Sequence, residues 1–337
     1  MIRKRMRTFN FILLIMTVMF GSRSPGFADN TVLYPVMLDG KYGFMNRQGR
    51  LVVEPLFDEA WISVEGLAAV NLGGMNNGKW GFVDTAGRLA IDLQFNDISD
   101  FRDGLAAVSS EGKWFFINRD GRIALDGIFT QADDFHEGRA RVAQGGAWGF
   151  IDRQARLVIP PRFDNAFNFS QGLAPVCLGG ATTGRWGYVD TSGRIVIEPV
   201  YHGASPFSGG RAAVWIDNQQ GYINRRGELV IDARFNNAGD FSQGLAPVQL
   251  GDRWGYIDTC GRFVIEPIFE GADIFVDGRA AVWIGQKWGY IDTTGAMIIP
   301  PQFNAVFRFQ AGLARVIIQS RTGYIDPDGA VVWPFNE

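Results

Sequence analysis

Five basic side chains recur one position before a repeated tryptophan or its equivalent, and together they form a candidate binding row. They are Lys79, Lys113, Arg185, Arg253 and Lys287. Repeats place equivalent residues at equivalent points of a structure, so such a row could bind an anionic polymer or an acidic partner. The alternative is a solvated row that protects a strand edge from aggregation, a common role of lysine. We call these five residues the cation row.

The remaining chemistry-bearing residues do not form a catalytic pattern. The two histidines, His136 and His202, are isolated, and the cysteines and histidines lack zinc-ligand spacing. Residues 73–79 match the first letters of a phosphate-binding loop, but Trp80 follows where Ser or Thr is required. No nucleophile lies near a base in the sequence. The sequence therefore predicts a protein that is not an enzyme and has no cofactor or metal site.

The cation row belongs to a unit that repeats along the chain. The residue after each tryptophan position falls at 43, 81, 115, 149, 187, 221, 255, 289 and 323, which gives steps of 34 or 38 residues. A fixed period of about 20–50 residues is typical of repeat architectures. The full copies of the central motif are Trp80-Gly81, Trp148-Gly149, Trp186-Gly187, Trp254-Gly255 and Trp288-Gly289. We expect Trp148 and Trp254 to be largely buried against a neighbouring unit, with Gly149 and Gly255 allowing another group to approach closely.

Each unit is predicted to be a three-stranded antiparallel β-meander followed by a phenylalanine-rich connector. An Asp or Asn follows the second predicted strand in every copy, with a Gly three residues later in all but one, which predicts a hydrogen-bonded turn and not a catalytic carboxylate. The connector aromatics are expected to fill the core between units. The predicted units are 32–66, 67–104, 105–138, 139–172, 173–210, 211–244, 245–278, 279–312 and 313–337.

These features resemble the bacterial WG-repeat (KWG-repeat) family. The resemblance is carried by Trp-Gly followed by Phe or Tyr, the Asp and Gly of the turn, and the Phe-x-x-Gly-Leu-Ala ending, and it covers residues 32–335. It implies an all-β repeat protein, often exported, with no assigned catalytic residues and no defined ligand. We expect about nine units in an open β-solenoid, because blades of a closed β-propeller, the alternative, usually have four strands.

The N-terminal segment differs from the repeats. Residues 1–28 combine a basic start, an apolar run over 9–20 and small residues before Asp29, which is the layout of a secretory signal peptide. An uncleaved anchor is the alternative. The remaining 309 residues form a single predicted repeat domain with 27 basic and 35 acidic residues, a net charge of −8. This acidic balance argues against nucleic-acid binding. Cys177 and Cys260 are expected to be free thiols, since their places in the repeat do not match.

The sequence thus favours an exported, periplasmic or extracellular protein that contacts a membrane only through its signal peptide. We expect a binding or scaffold module of the cell envelope that recognises a protein or an anionic polysaccharide through a repeated surface. The alternatives are a purely structural surface protein and, less favoured, a hydrolase of envelope polymers. The sequence leaves the ligand and the oligomeric state open.

Overall fold

The computed structural model describes residues 32–180 and 183–336, so the predicted signal peptide at 1–28 lies outside the described residues. The described chain forms two compact units, one of residues 32–128 with 336 and the other Phe129–Phe335. Both units consist of short antiparallel β-strands. Within 32–180 and 183–336, no helix is both long and apolar enough to cross a membrane.

The strands group into nine sheets, each a meander in chain order. Sheet 1 contains β1 Tyr34–Leu38, β2 Lys41–Met45 and β3 Leu51–Phe57; sheet 2 contains β4 Glu59–Ala60, β5 Leu67–Leu72, β6 Lys79–Asp84 and β7 Leu89–Phe95; sheet 3 contains β8 Asp97–Ile98, β9 Leu105–Ser110, β10 Lys113–Asn118 and β11 Ile123–Phe129. A helical turn, α1 Gly74–Asn77, joins β5 to β6.

The other six sheets repeat this order. They are sheet 4 with β12 Gln131–His136, β13 Arg139–Gln144, β14 Ala147–Asp152 and β15 Leu157–Phe163; sheet 5 with β16 Asn165–Ala166, β17 Leu173–Leu178, β18 Arg185–Asp190 and β19 Ile195–Tyr201; sheet 6 with β20 Gly203–Ala204, β21 Ala212–Ile216, β22 Gln219–Ile223 and β23 Leu229–Phe235; sheet 7 with β24 Asn237–Ala238, β25 Leu245–Leu250, β26 Arg253–Asp258 and β27 Phe263–Phe269; sheet 8 with β28 Gly271–Ala272, β29 Arg279–Ile284, β30 Lys287–Asp292 and β31 Met297–Phe303; and sheet 9 with β32 Ala305–Val306, β33 Ala314–Ile318, β34 Arg321–Ile325 and β35 Val331–Asn336.

The predicted three-stranded unit is wrong, because the connector contributes a further strand. In sheet 7, β24 pairs antiparallel with β25, with Asn237 opposite Gln249 and Ala238 opposite Val248. A first strand contributed by the connector opens each of sheets 2 to 9, and it has two residues in all of them except sheet 4, where β12 has six. A strand of two residues has no alternation of polar and apolar side chains, so the periodicity that predicts strands does not detect it.

The favoured open solenoid is also wrong: the fold class is a β-propeller, with about nine four-stranded sheets as blades. One reason to expect a solenoid is the prediction of only three strands in each unit. The short first strand supplies the missing fourth strand, so a repeat of 34 residues is long enough for a blade.

The glycine of the Trp-Gly motif is required by a β-bulge. In sheet 7 the register between β26 and β27 shifts between Trp254 and Tyr256, which leaves Gly255 facing the backbone of the outer strand. A Cβ atom on Gly255 would lie 2.5 Å from the carbonyl oxygen of Ile265. That distance is too short for any side chain, so only glycine fits here.

The turn before the last strand has the predicted hydrogen bonds in all nine sheets. In sheet 7, Oδ1 of Asp258 accepts the backbone N–H groups of Cys260 and Arg262 at 2.9 and 3.0 Å. The same two bonds form at Asn46, Asp84, Asn118, Asp152, Asp190, Asn224, Asp292 and Asp326. We call these the Asx turns. The prediction of turn chemistry for these residues is confirmed.

Neighbouring sheets pack through the Asx turns and the connector aromatics. Gly261 has φ of +81°, and a Cβ there would lie 2.9 Å from Cγ2 of Ile231 in the preceding sheet. The core between sheets 7 and 8 combines Ile265 and Phe269 of one sheet with Phe275 and Val282 of the next. The interface between sheets 7 and 8 therefore needs residues from two consecutive repeats, as expected for a repeat protein.

Candidate functional site

Every member of the cation row occupies the same place in its sheet. Each is the first residue of the third strand and lies opposite the last residue of the second strand, as in the pairs Lys287–Ile284 and Arg253–Leu250. The row therefore lies at the hairpin that joins the second and third strands. We call this end of each sheet the hairpin end.

The position of the row argues against the edge-protection alternative. The third strand lies between the second and the fourth, so its first residue is not on a sheet edge. The centre of the exposed outer strand carries a proline or an acidic residue instead. These residues are Glu54, Asp92, Pro160, Glu198, Asp232, Glu266, Pro300 and Pro334. Charge and proline on the outer strand are the usual protection of a sheet edge, and here they fulfil that role.

Two row cations contact the residue that follows the fourth strand of their sheet, 17 positions later in the chain, which we call the partner position. Lys287 Nζ donates to Asn304 Oδ1 at 3.0 Å, and Arg253 Nη1 lies 3.3 Å from Glu270 Oε1. Arg185 instead donates to the carbonyl oxygen of Thr183 at 3.0 Å. Among the described residues, Arg253 is the row member with a carboxylate within ion-pairing distance.

The partner position also binds the hairpin of the following sheet. Asn304 Oδ1 accepts the N–H of Gln319 at 2.9 Å, and Asp58 Oδ2 accepts the N–H of Gly73 at 2.7 Å. Asp58 is also paired with Lys41, at 2.5 Å. Although burial acts to raise it, these hydrogen bonds hold the pKa of Asp58 below its ordinary value. These residues were not predicted from the sequence. An Asp or Asn directly after the aromatic residue that ends the outer strand recurs in several copies, and this recurrence could have identified them.

Most row cations are not neutralised by the partner position. The residue 17 positions after the cation is uncharged or a histidine for four row members, namely Asn96, Thr130, His202 and Asn304. An amide or hydroxyl can orient a cation without cancelling its charge. The row therefore retains positive charge on a chain whose predicted repeat domain is acidic.

The motif tryptophans are packing residues with one face near the surface. Trp80 is 7% exposed, whereas Trp148, Trp186, Trp254 and Trp288 are half-buried. Trp254 packs against the core between sheets 7 and 8, and Trp288 against the core between sheets 8 and 9.

Two tryptophans outside the motif were not singled out from the sequence. Trp215 and Trp283 are the next-to-last residues of β21 and β29, at the hairpin end. Each lies opposite a glycine of the short first strand, Gly203 or Gly271. A sequence signal could have found them. The first residue of the first strand is glycine only in sheets 6 and 8, which are the two sheets that carry the additional tryptophan.

Within 32–180 and 183–336, no group of three or more His, Cys, Asp or Glu side chains could hold a metal ion. Arg308 binds both oxygens of Asp273 through Nε and Nη2, at 2.6–3.0 Å. Desolvation raises the pKa of the nearby Asp240, and the positive charge of Arg308 acts to lower it. The Asp273–Arg308 pair is a link between connectors, with both carboxylate oxygens already occupied.

The chain belongs to the WG containing repeat family. Its family description matches residues 42–75, 80–114, 114–146, 148–180, 186–218, 221–254, 254–288 and 288–319. No curated protein matches the chain. Repeat β-propeller domains generally serve as protein-binding or scaffold folds, and the family is typically non-catalytic.

Solved structures support the fold class. A eukaryotic initiation factor is similar over 90% of this chain and 95% of its own, with 10% identity and a TM-score of 0.64. Dihydro-heme d1 dehydrogenase NirN in complex with DHE is similar over 94% of this chain and 76% of its own, with 14% identity and a TM-score of 0.51. At such low identity these similarities show the fold alone. The first similarity overturns the open solenoid.

Proposed function

We propose that this protein is an exported, non-enzymatic binding module of the cell envelope, and that it binds an anionic polymer through the cation row. The observation that carries the proposal is the retained charge of the row. Five cations occupy equivalent hairpin ends, and for four of them the residue 17 positions later in the chain carries no carboxylate.

The repeated arrangement favours a polymeric ligand over a small one. One exposed ion pair contributes only about 0.2–1 kcal/mol, so a single cation of the row would bind an anion weakly. A polymer that contacts several hairpin ends gains affinity through effective concentration. The row members of each compact unit suffice for this, since Lys79 and Lys113 lie in one unit and Arg185, Arg253 and Lys287 in the other.

Export is proposed from the sequence of residues 1–28, whose basic, apolar and small-residue segments are those of a signal peptide. The expected product begins at Asp29, and mass spectrometry of the protein from envelope fractions measures this directly. Recovery of only full-length chain in the cytosol would contradict the proposed location. A purely structural surface protein is the alternative function.

The test of anion binding is a variant with all five row residues changed to Gln. We expect it to lose most binding to an anionic polysaccharide at low salt, and we expect wild-type binding to weaken as salt rises, because salt screens exposed charges. Separate variants of the two units, K79Q/K113Q and R185Q/R253Q/K287Q, show whether each unit binds by itself.

A matched control changes exposed arginines at the opposite end of the sheets. Arg88, Arg156, Arg194 and Arg262 all pair with an Asx-turn aspartate. Changing these four to Gln alters the net charge by a similar amount and should leave binding nearly unchanged. Equal loss of binding in both variants would show that net charge alone is responsible and would contradict a site at the row.

A further inference from the structure

Trp215 and Trp283 lie outside the described core clusters that include the motif tryptophans, although Trp283 is half-buried and its ring lies 5.3 Å from that of Trp288, edge to face. Among the described residues, the core clusters between the sheets of the second unit include Trp148, Trp186, Trp254 and Trp288 but neither of these two. Trp215 is 36% exposed, which makes it one of the exposed large apolar side chains. Its burial therefore does not account for a tryptophan at this position.

Glycine, which has no side chain, lies opposite each of these two tryptophans on the short first strand. A Cβ on Gly203 would lie 2.5 Å from Cε3 of Trp215, and a Cβ on Gly271 would lie 3.1 Å from Cβ of Trp283 and 3.4 Å from Cη2 of Trp288. Glycine weakens a strand, so its presence opposite both tryptophans has a cost. The Trp215 ring thus lies against the backbone of Gly203, whereas Gly271 lies next to Cβ of Trp283 and the ring of Trp288.

In sheet 6 a tryptophan lies on the second strand, while the motif position on the third strand has none. The motif tryptophan is replaced there by Gln220, which is buried and accepts the N–H of Ala238 at 2.8 Å. Trp215 lies directly opposite Gln220 on the second strand. The indole is thus present in sheet 6, but one strand closer to the short first strand, where it is more exposed.

Backbone hydrogen bonds and strand register place charged or polar residues next to Trp215 and Trp283 in the fold. The carbonyl oxygen of Trp283 accepts the N–H of Glu270, whose side chain is paired with Arg253. Lys287 lies on the same hairpin as Trp283 and is held by Asn304. The carbonyl oxygen of Trp215 accepts the N–H of His202. His202 follows Arg185 by the same 17 positions that separate Lys287 from Asn304.

We propose that Trp215 and Trp283 are stacking platforms for the sugar rings of an anionic polysaccharide. This inference rests on the proposed function and names the chemical class of its ligand. A pyranose ring offers a flat apolar face that can lie on an indole, while its carboxylate or sulfate groups reach a neighbouring cation. Tryptophan suits this purpose because it combines a large apolar surface with a polar N–H. An acidic protein surface would use the cations but would not need two flat aromatic platforms.

The experiment compares binding of the full chain to three polymers by isothermal titration calorimetry at low and moderate salt. Polygalacturonate carries carboxylates, dextran sulfate carries sulfates, and dextran is neutral. The variants are W215L/W283L, which keeps apolar volume but removes the aromatic platforms, and W215F/W283F, which keeps smaller rings. The control V200A removes an apolar side chain that is 61% exposed on the outer strand of sheet 5.

We expect W215L/W283L to bind the preferred anionic polymer about tenfold more weakly, or about 1.4 kcal/mol. This loss should be similar at both salt concentrations, because stacking is not screened. W215F/W283F should retain much of the affinity, and V200A should bind as the wild type does. Thermal melts of all variants exclude a loss of folding as the cause.

The outcomes separate this inference from the proposed function. Suppose that the variant with all five row residues changed to Gln loses binding while W215L/W283L binds as the wild type does. The stacking proposal is then wrong, and the proposal of anion binding at the cation row is supported. If the wild type binds dextran as well as the charged polymers and W215L/W283L loses all three, the platforms stand and the anionic function is wrong. If the wild type binds an acidic protein but none of the polymers, the platform proposal is overturned.

Discussion

The first four sheets and the last five build the same core position with different rings. The residue after the motif glycine is a phenylalanine in sheets 1 to 4 and a tyrosine in sheets 5 to 9. The ring of Phe150 in sheet 4 lies 4.8 Å from that of Phe169, and the ring of Tyr256 in sheet 7 lies 4.8 Å from that of Phe275. The aromatic packing is therefore the same with either residue.

The hydroxyl group makes the difference between these regions. The Tyr256 hydroxyl donates to the carbonyl oxygen of Asp273 at 2.8 Å, which links sheet 7 to the connector of sheet 8. Equivalent bonds form at Tyr188, Tyr222 and Tyr290. Burial raises the pKa of Tyr256, which keeps the hydroxyl protonated as a donor. The tyrosine hydroxyl thus adds a polar link to the next connector that a phenylalanine at the same position cannot make.

The largest expected effect tests whether the ring or the hydroxyl dominates. Phe150→Ala and Tyr256→Ala should each destabilise the protein by about 3–5 kcal/mol, because each removes a fully buried aromatic ring. Urea unfolding measures both values. A loss for Tyr256→Ala that is more than twice that for Phe150→Ala would contradict the conclusion that the two regions share the same packing.

The motif glycine should matter equally in both regions. A Cβ on Gly149 or Gly255 would lie 2.4 or 2.5 Å from a carbonyl oxygen of the outer strand. We expect Gly149→Ala and Gly255→Ala each to cost about 1–3 kcal/mol, as overpacked positions do. Gly251→Ala is the control that adds a methyl group without a steric clash. A Cβ there meets no atom within 4 Å, although φ is +61°. Equal costs at all three positions would mean that strain in φ, and not the bulge, determines the effect.

Removal of the hydroxyl isolates the difference between the regions. Tyr256→Phe should cost about 1 kcal/mol, the usual contribution of a hydrogen bond, and should leave the core packing intact. Tyr201→Phe is a matched control, because its hydroxyl donates over a longer distance of 3.3 Å to Gly227. A stability unchanged by Tyr256→Phe would show that the link between sheets 7 and 8 is not stabilising.

The smallest effect at neutral pH is expected at the Asx turn. Hydrogen bonds from the backbone and side chain of Arg262, opposed by desolvation, hold the pKa of Asp258 below its ordinary value of 3.8. A lowered folded pKa gives stability that is present above about pH 3.8 and is lost as pH falls through the folded pKa. Asp258→Asn should therefore reduce the loss of stability in acid, as measured by acid unfolding. Asn224, which makes the same turn bonds in sheet 6, is the natural reference. An unchanged acid transition would contradict this assignment.

Much of the local structure could be predicted from the sequence because it depends on residues close together in the chain. The Asx turns need only an oxygen at one residue and N–H groups two and four residues later, so their spacing is visible in every copy. The connector aromatics and the motif glycines also recur at fixed positions. The candidate row was predictable as a set of equivalent residues, although its contacts with Asn304 and Glu270 were not.

The sequence by itself determined the repeat, its turns and its family, since these follow from short-range spacing. The tertiary structure alone decided that the connector forms a fourth strand, because two residues acquire strand geometry only when β24 pairs with β25. It also decided that the cation row lies on an inner strand, with Glu198 and Pro300 on exposed outer strands. The Gly203–Trp215 contact likewise depends on pairing between residues twelve positions apart, whose register no local pattern specifies.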